Sequence, residues 1–131
     1  MDTLGEFTLS LPARSENLST IRRAVSDFAV TLGLDEETIA DLRLAVNEAC
    51  SNVVRHAYDS DDGSMTVEAR PLGGYLVVVV EDEGRGLSRA SSDPGAGLGL
   101  RVASAVSNSF EVRQKPCGTE VRLAFPITSV A

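Results

Sequence analysis

The chain has 131 residues, of which 43% are hydrophobic, and a formal net charge of −7 at pH 7. These values predict one packed domain over residues 1–131. The acidity argues against direct nucleic-acid binding, which needs a basic face, and against docking on an anionic membrane. The longest apolar run, Leu76–Val80, is too short to span a bilayer, and no secretion signal or paired cysteine motif is visible. We therefore expect a cytoplasmic protein with reduced thiols.

The first half of the chain predicts one strand followed by two helices. Residues 6–11 alternate between apolar and polar, which is typical of a half-buried strand. Apolar residues then recur at helical spacing over 18–32, and Gly33 ends that helix. Asp35 is a candidate cap for a second helix over about residues 36–57.

The second half predicts two hairpins separated by a short helix. Residues 64–71 and 75–82 read as two strands joined by a glycine pair. A helix is predicted over 99–108, and a last hairpin over 109–114 and 119–126. This order indicates an α/β two-layer sandwich, in which helices cover one face of a mixed, mostly antiparallel sheet. The second strand is apolar on both sides, which places it at the centre of the sheet.

The second predicted helix carries a polar ridge. At about 100° per residue, Glu48 and Asn52 lie one turn apart on the same side, and Arg55 continues the column. A carboxylate can accept a proton, an amide oxygen can bind a hard divalent cation, and an arginine can hold a phosphate. This set suits a nucleotide site. The alternative is a solvated helix face, where the same residue types are ordinary.

A carboxylate ends the central predicted strand, where burial requires a compensating partner. Asp82 is followed by Gly84 and Gly86, whose lack of side chains lets a ligand lie flat against the backbone. Such a ligand can donate a hydrogen bond to the Asp82 carboxylate. The exocyclic amine of adenine is one such donor. A plain turn after a strand is the alternative, because Asp and Gly are common in turns.

A second glycine cluster, Gly97-Leu98-Gly99, precedes the third predicted helix. Free backbone N–H groups at a helix N-terminus bind phosphate well. No lysine follows these glycines, as a Walker A loop requires, and the spacing does not fit a dinucleotide-binding G-x-G-x-x-G. A helix cap with tight packing is the alternative.

In this order and on these elements, the motifs resemble the N box and the two glycine boxes of the GHKL (Bergerat-fold) ATPases, over nearly the whole chain. That superfamily unites gyrase, the ninety-kilodalton heat-shock chaperone, the histidine kinases and MutL. The matching pieces are Glu48-x-x-x-Asn52, Asp82-x-Gly84-x-Gly86, Gly97-x-Gly99 and Gly118-Thr119. The size, the opening strand and the run NEACSNVVRHAY are most similar to the small anti-sigma-factor serine/threonine kinases of bacterial partner-switching systems.

The resemblance implies a histidine-kinase-like ATPase fold and a role for each polar site residue. Glu48 stands at the catalytic base, and Asn52 at the amide that ligates Mg²⁺. Asp82 matches the carboxylate that binds adenine, and Thr119 a residue at the adenine edge. Arg55 matches, more loosely, a basic residue near the phosphates of ATP.

The resemblance also assigns the glycines. Gly84 and Gly86 shape the floor under the nucleotide. Gly97 and Gly99, on either side of Leu98, let the backbone wrap the phosphates.

The function implied is phosphoryl transfer from Mg-ATP to a serine or threonine of a STAS-type anti-sigma-factor antagonist, by a protein that also sequesters a sigma factor. A homodimer formed through the first strand and helix is expected by resemblance alone. The alternative is a weakly catalytic ATP-binding module that controls its partner by binding only. The short, serine-rich segment 87–96 favours that alternative, whereas Glu48 favours the kinase. A detached histidine-kinase ATPase domain is a third interpretation.

Overall fold

The computed structural model describes residues 6–58, 63–84 and 98–127, and these contain five strands and three α-helices. In chain order they are β1 (Phe7–Pro12), α1 (Leu18–Leu32), α2 (Glu36–His56), β2 (Ser64–Leu72), β3 (Tyr75–Asp82), α3 (Leu98–Val106), β4 (Ser109–Gln114) and β5 (Thr119–Pro126). Every predicted strand and helix is present, and its bounds differ from the predicted ones by at most two residues.

The strands form one sheet in the order β1-β2-β3-β5-β4. Strand β3 lies at its centre, between β2 and β5, as its apolar run predicts. The sequence predicts a mixed, mostly antiparallel sheet, whereas the four pairings between the described strands are all antiparallel. The α/β sandwich itself is confirmed.

The core lies between the helices and one face of this sheet. On β3, the side chains of Leu76, Val78 and Val80 are at most 1% exposed because they face the helical layer. The matching helix positions are Ile21, Val25, Ala29, Leu42, Val46, Ala49 and Val53. On the opposite face, which no described helix covers, Val77 and Val79 line a groove of about 270 Å³. Because side chains alternate along a strand, Asp82 belongs to the helix side, away from this groove.

Helices α1 and α2 form a hairpin because both helix ends are capped within a short turn. Gly33 has a φ of 89°, which suits glycine and ends α1. Asp35 begins α2, since its carboxylate accepts a hydrogen bond from the backbone N–H of Thr38 at 2.8 Å. Helix α3 packs against α2 on its other side. None of the helices in the described ranges is both long and apolar enough to cross a membrane.

Cys50 lies on α2, belongs to the hydrophobic core and is fully buried. Burial raises the pKa of its thiol to about 12. The thiolate is the reactive form of cysteine, so Cys50 acts as a small apolar core residue.

Candidate functional site

Asp82 is a buried carboxylate at the end of the central strand, with 6% of its surface exposed. The backbone N–H of Gly84 donates to its Oδ1 at 2.9 Å, and a backbone hydrogen bond from Thr119, its register partner on β5, also reaches the carboxylate. Burial raises the pKa of Asp82 above the ordinary value of 3.8; these backbone bonds and the charge of Lys115 oppose the rise without cancelling it. A buried carboxylate that backbone N–H groups hold in place is a suitable acceptor for a donor group on a ligand.

We expect Asp82→Asn to raise the melting temperature of the ligand-free protein at neutral pH while weakening the binding of adenine nucleotides. Because folding raises the pKa of Asp82, the stability that this group contributes is fully present below pH 3.8 and is lost as pH rises through the folded-state pKa. Asparagine avoids this loss and keeps an oxygen for the Gly84 N–H. Thermal melts across pH measure the difference, which should vanish below pH 3.8. Glu68→Gln, which neutralises an exposed carboxylate on β2, is the control. A variant that melts below wild type at neutral pH contradicts this expectation.

Two glycines bring the end of β3 against its neighbours. A Cβ on Gly84 would lie 2.0 Å from the carbonyl oxygen of Ala57, the residue that ends α2. Gly118, which precedes β5, has a φ of 109°, and a Cβ there would lie 1.9 Å from the carbonyl oxygen of Asp82. These glycines are therefore needed for close approach of the protein's own backbone. They allow the end of α2, the end of β3 and the start of β5 to meet at one junction beside Asp82.

We expect Gly118→Ala to destabilise the fold by about 2–4 kcal/mol, because it combines backbone strain with displacement of the Asp82 carbonyl. Gly74→Ala is the matched control. Gly74 also has a positive φ, of 87°, but a Cβ there would meet nothing within 4 Å. Strain alone should cost it about 1–2 kcal/mol. Urea denaturation measures both losses, and equal losses would show that the contact with Asp82 is unimportant.

The polar ridge of α2 leads away from this junction. Counting back from Ala57 at 1.5 Å per residue, Asn52 lies about 7.5 Å along the helix axis, and Glu48 about 6 Å further. Both side chains are half-buried. Arg55 is exposed, and its guanidinium donates to the Ser51 hydroxyl at 2.8 Å. Going from the junction back along the α2 axis, the Asp82 carboxylate is therefore followed by the Asn52 amide and then by the Glu48 carboxylate.

The predicted nucleotide-binding glycines lie partly outside the described part of the chain. Gly86, Gly97 and the segment 87–96 lie outside the described residues. Leu98 and Gly99 form the first turn of α3, beside α2, so this helix begins within the second glycine cluster, one residue before its predicted start at residue 99.

The described residues include no group of three or more His, Cys, Asp or Glu side chains that could hold a metal ion. Mg²⁺ that arrives with a nucleotide does not need such a group, because phosphates and waters fill most of its coordination shell. One amide oxygen is an adequate protein ligand, and the half-buried side chain of Asn52 fits that requirement.

Sequence reasoning missed two residues beside Asp82. The Tyr58 hydroxyl accepts from the backbone N–H of Glu83 at 2.9 Å, and the Cys117 thiol donates to the Glu83 carbonyl at 3.3 Å. From the sequence, Tyr58 is part of a turn and Cys117 is an isolated thiol. Their positions directly after the predicted helix and directly before Gly118-Thr119 were the available signals.

Residues 11–125 match the family described as the histidine kinase-like ATPase domain. The chain belongs to this family, and the predicted family and fold are confirmed; an ATPase domain implies ATP binding.

Among its relatives, the anti-sigma F factor of a Thermoanaerobacter species is 30% identical, over 94% of each chain. The anti-sigma F factor of Caldanaerobacter subterraneus is 32% identical, over 88% of this chain and 89% of the relative. The serine-protein kinase RsbW of Listeria monocytogenes is 42% identical, over 60% of this chain and 51% of the relative.

A solved structure shows the same architecture. The crystal structure of the RsbU and RsbW domains of Rv1364c from Mycobacterium tuberculosis matches 96% of this chain and 34% of that protein, with a TM-score of 0.74 and 25% identity.

Proposed function

We propose that this chain is a Mg-ATP-dependent serine/threonine protein kinase that also acts as an anti-sigma factor. The observation that carries the proposal is the junction at Asp82, where a buried carboxylate meets the end of α2 and the start of β5. From that junction, the α2 ridge runs toward Asn52 and Glu48. The names of the relatives, anti-sigma F factor and serine-protein kinase RsbW, support both halves of the proposal.

Each polar residue has a defined task in this mechanism. Asp82 accepts a hydrogen bond from the exocyclic amine of adenine, and Thr119 lies beside it at the edge of the base. Asn52 offers its amide oxygen to Mg²⁺, which when bound neutralises phosphate charge. Glu48 accepts the proton of the incoming serine or threonine hydroxyl as that oxygen bonds to the γ-phosphorus and ADP leaves.

We assign phosphate binding to the backbone N–H groups of the glycine-containing segments. Gly86, Gly97 and Gly99 would let backbone N–H groups face the phosphates, and α3 begins directly after Gly97. Arg55 can also contact the phosphates, because its bond to Ser51 uses one guanidinium nitrogen and leaves other N–H donors.

A protein partner is supported by a groove of about 320 Å³ on the helical side. It is lined by Arg22, Ala40, Arg43, Leu44 and Asn47. Leu44 is exposed, and two arginines stand beside it in a chain of net charge −7. An acidic surface with an apolar contact fits this groove. We assign partner binding to it, with a STAS-type antagonist and a sigma factor as the partners. Homodimerisation and a cytoplasmic location stay predictions.

The test is label transfer. The protein is incubated with Mg²⁺, γ-labelled ATP and STAS-domain antagonists from the source organism, each beside a variant whose acceptor serine or threonine is alanine. We expect label on an intact antagonist and not on its variant. Tight ATP binding and a stable complex without transferred label would contradict the kinase and support a module that acts by binding only.

A further inference from the structure

The peptide units that follow Asp82 are held from several directions. The N–H of Glu83 donates to the Tyr58 hydroxyl at 2.9 Å, and the Glu83 carbonyl accepts from the Cys117 thiol at 3.3 Å. Next along the chain, the N–H of Gly84 donates to the Asp82 carboxylate. The carbonyl of Asp82 is confined by the close approach of Gly118. The backbone that carries the candidate base-binding carboxylate is therefore fixed on both sides.

Tyr58 is itself fixed in position. Its hydroxyl donates to the carbonyl of Ser64 at 2.6 Å, so its one proton is committed there and a lone pair faces Glu83. The ring lies so close to Gly63 that a Cβ there would come within 2.2 Å of it. The hydroxyl thus joins the start of β2 to the residue after β3, at a point set by the backbone.

We propose that Tyr58 is a positioning residue for adenine recognition. Its hydroxyl sets the peptide between Asp82 and Glu83, and hence the direction of the Asp82 carboxylate, with the Cys117 thiol as a weaker second hold. The inference rests on the proposed function, because it assigns Asp82 to the base. It adds Tyr58, a residue outside β3, as a determinant of how strongly the site prefers adenine.

The consequence is specific to the base. At carbon 6, adenine presents an amine where hypoxanthine presents a carbonyl oxygen, so only adenine can donate to Asp82 from that exocyclic position. A hydrogen bond to a charged group supports a preference of about 10–100-fold for ADP over IDP. If the Asp82 carboxylate is displaced, this preference falls, while contacts to the sugar and phosphates are unchanged. A tyrosine that merely stabilised the fold would affect both nucleotides equally.

The experiment measures dissociation constants for Mg-ADP and Mg-IDP by calorimetry on the whole chain. We expect Tyr58→Phe to raise the constant for ADP about ten-fold and that for IDP less than two-fold, in line with the loss of one positioning bond. Tyr75→Phe is the matched control, because it removes the other tyrosine hydroxyl of the chain, at the far end of β3, and should change neither constant.

Cys117 supplies a second test that does not depend on how well Tyr58→Phe folds. Cys117→Ala should lower the ADP preference about two- to three-fold, because a thiol is a weak donor, and Cys117→Ser, which keeps a donor, should restore it. Equal weakening of ADP and IDP, or an unchanged preference in both Tyr58→Phe and Cys117→Ala, overturns the inference and leaves the proposed function intact. Wild-type protein without a preference for ADP overturns the adenine assignment itself, and this inference with it.

Discussion

Glu48→Gln is expected to lower the rate of phosphoryl transfer about 10²–10⁴-fold, while the dissociation constant for Mg-ATP stays within about two-fold of wild type. Glutamine has the shape of glutamate but cannot accept the hydroxyl proton. Glu48 lies one turn before Asn52 on α2, at the end of the ridge that is farther from the adenine site. Loss of this catalytic carboxylate should therefore slow the chemical step and leave nucleotide binding unchanged. Single-turnover transfer of label to the antagonist measures the rate.

Glu37→Gln is the control for this variant. It removes a carboxylate from the same helix, in an exposed position of the first turn, and should transfer label at the wild-type rate. Transfer by Glu48→Gln at the wild-type rate would remove Glu48 from the role of base. A Glu48→Gln protein that no longer binds ATP would instead place Glu48 in the nucleotide-binding set.

Asn52→Ala is expected to abolish the part of nucleotide stabilisation that depends on Mg²⁺. A ligand that binds only the native state stabilises it by about 2.7 kcal/mol at a hundred times its dissociation constant. In wild type, Mg²⁺ should add to the thermal shift given by ATP, because Asn52 binds the ion that the phosphates carry. In the variant, ATP should give the same shift with Mg²⁺ or with EDTA.

Asn47→Ala is the matched control, because the Asn47 amide oxygen accepts from the Arg22 guanidinium at 2.6 Å in the groove between α1 and α2. Its loss can lower the melting temperature of the ligand-free protein but should leave the added effect of Mg²⁺ unchanged. A full Mg²⁺-dependent shift in Asn52→Ala would contradict the metal assignment.

The fold was largely predictable because its signals are local. Helical periodicity and strand alternation mark elements within a few residues, and Gly33, Asp35 and the Gly73-Gly74 pair mark where they end. The central place of β3 follows from its apolar run. The prediction of a mixed sheet was less exact, because strand direction depends on how distant segments pair and the sequence shows only which segments are strands.

The candidate site was predictable only in part. The resemblance to the GHKL ATPases identified Thr119 through the late Gly-Thr pair, and the register of β3 and β5 places it opposite Asp82. Contacts between elements far apart in sequence could not be predicted. The sequence does not show that Gly84 meets Ala57, that Tyr58 reaches Glu83 or that Ser51 holds Arg55. Each depends on where two separate elements come together, which local patterns do not encode.

A crystal structure of the protein with Mg-ADP would show directly whether Asp82 binds adenine. We expect adenine at the junction of β3, β5 and the end of α2, with its exocyclic amine within hydrogen-bond distance of the Asp82 carboxylate and Asn52 facing the cation. A nucleotide bound elsewhere, or an adenine that makes no contact with Asp82, would rule out this site.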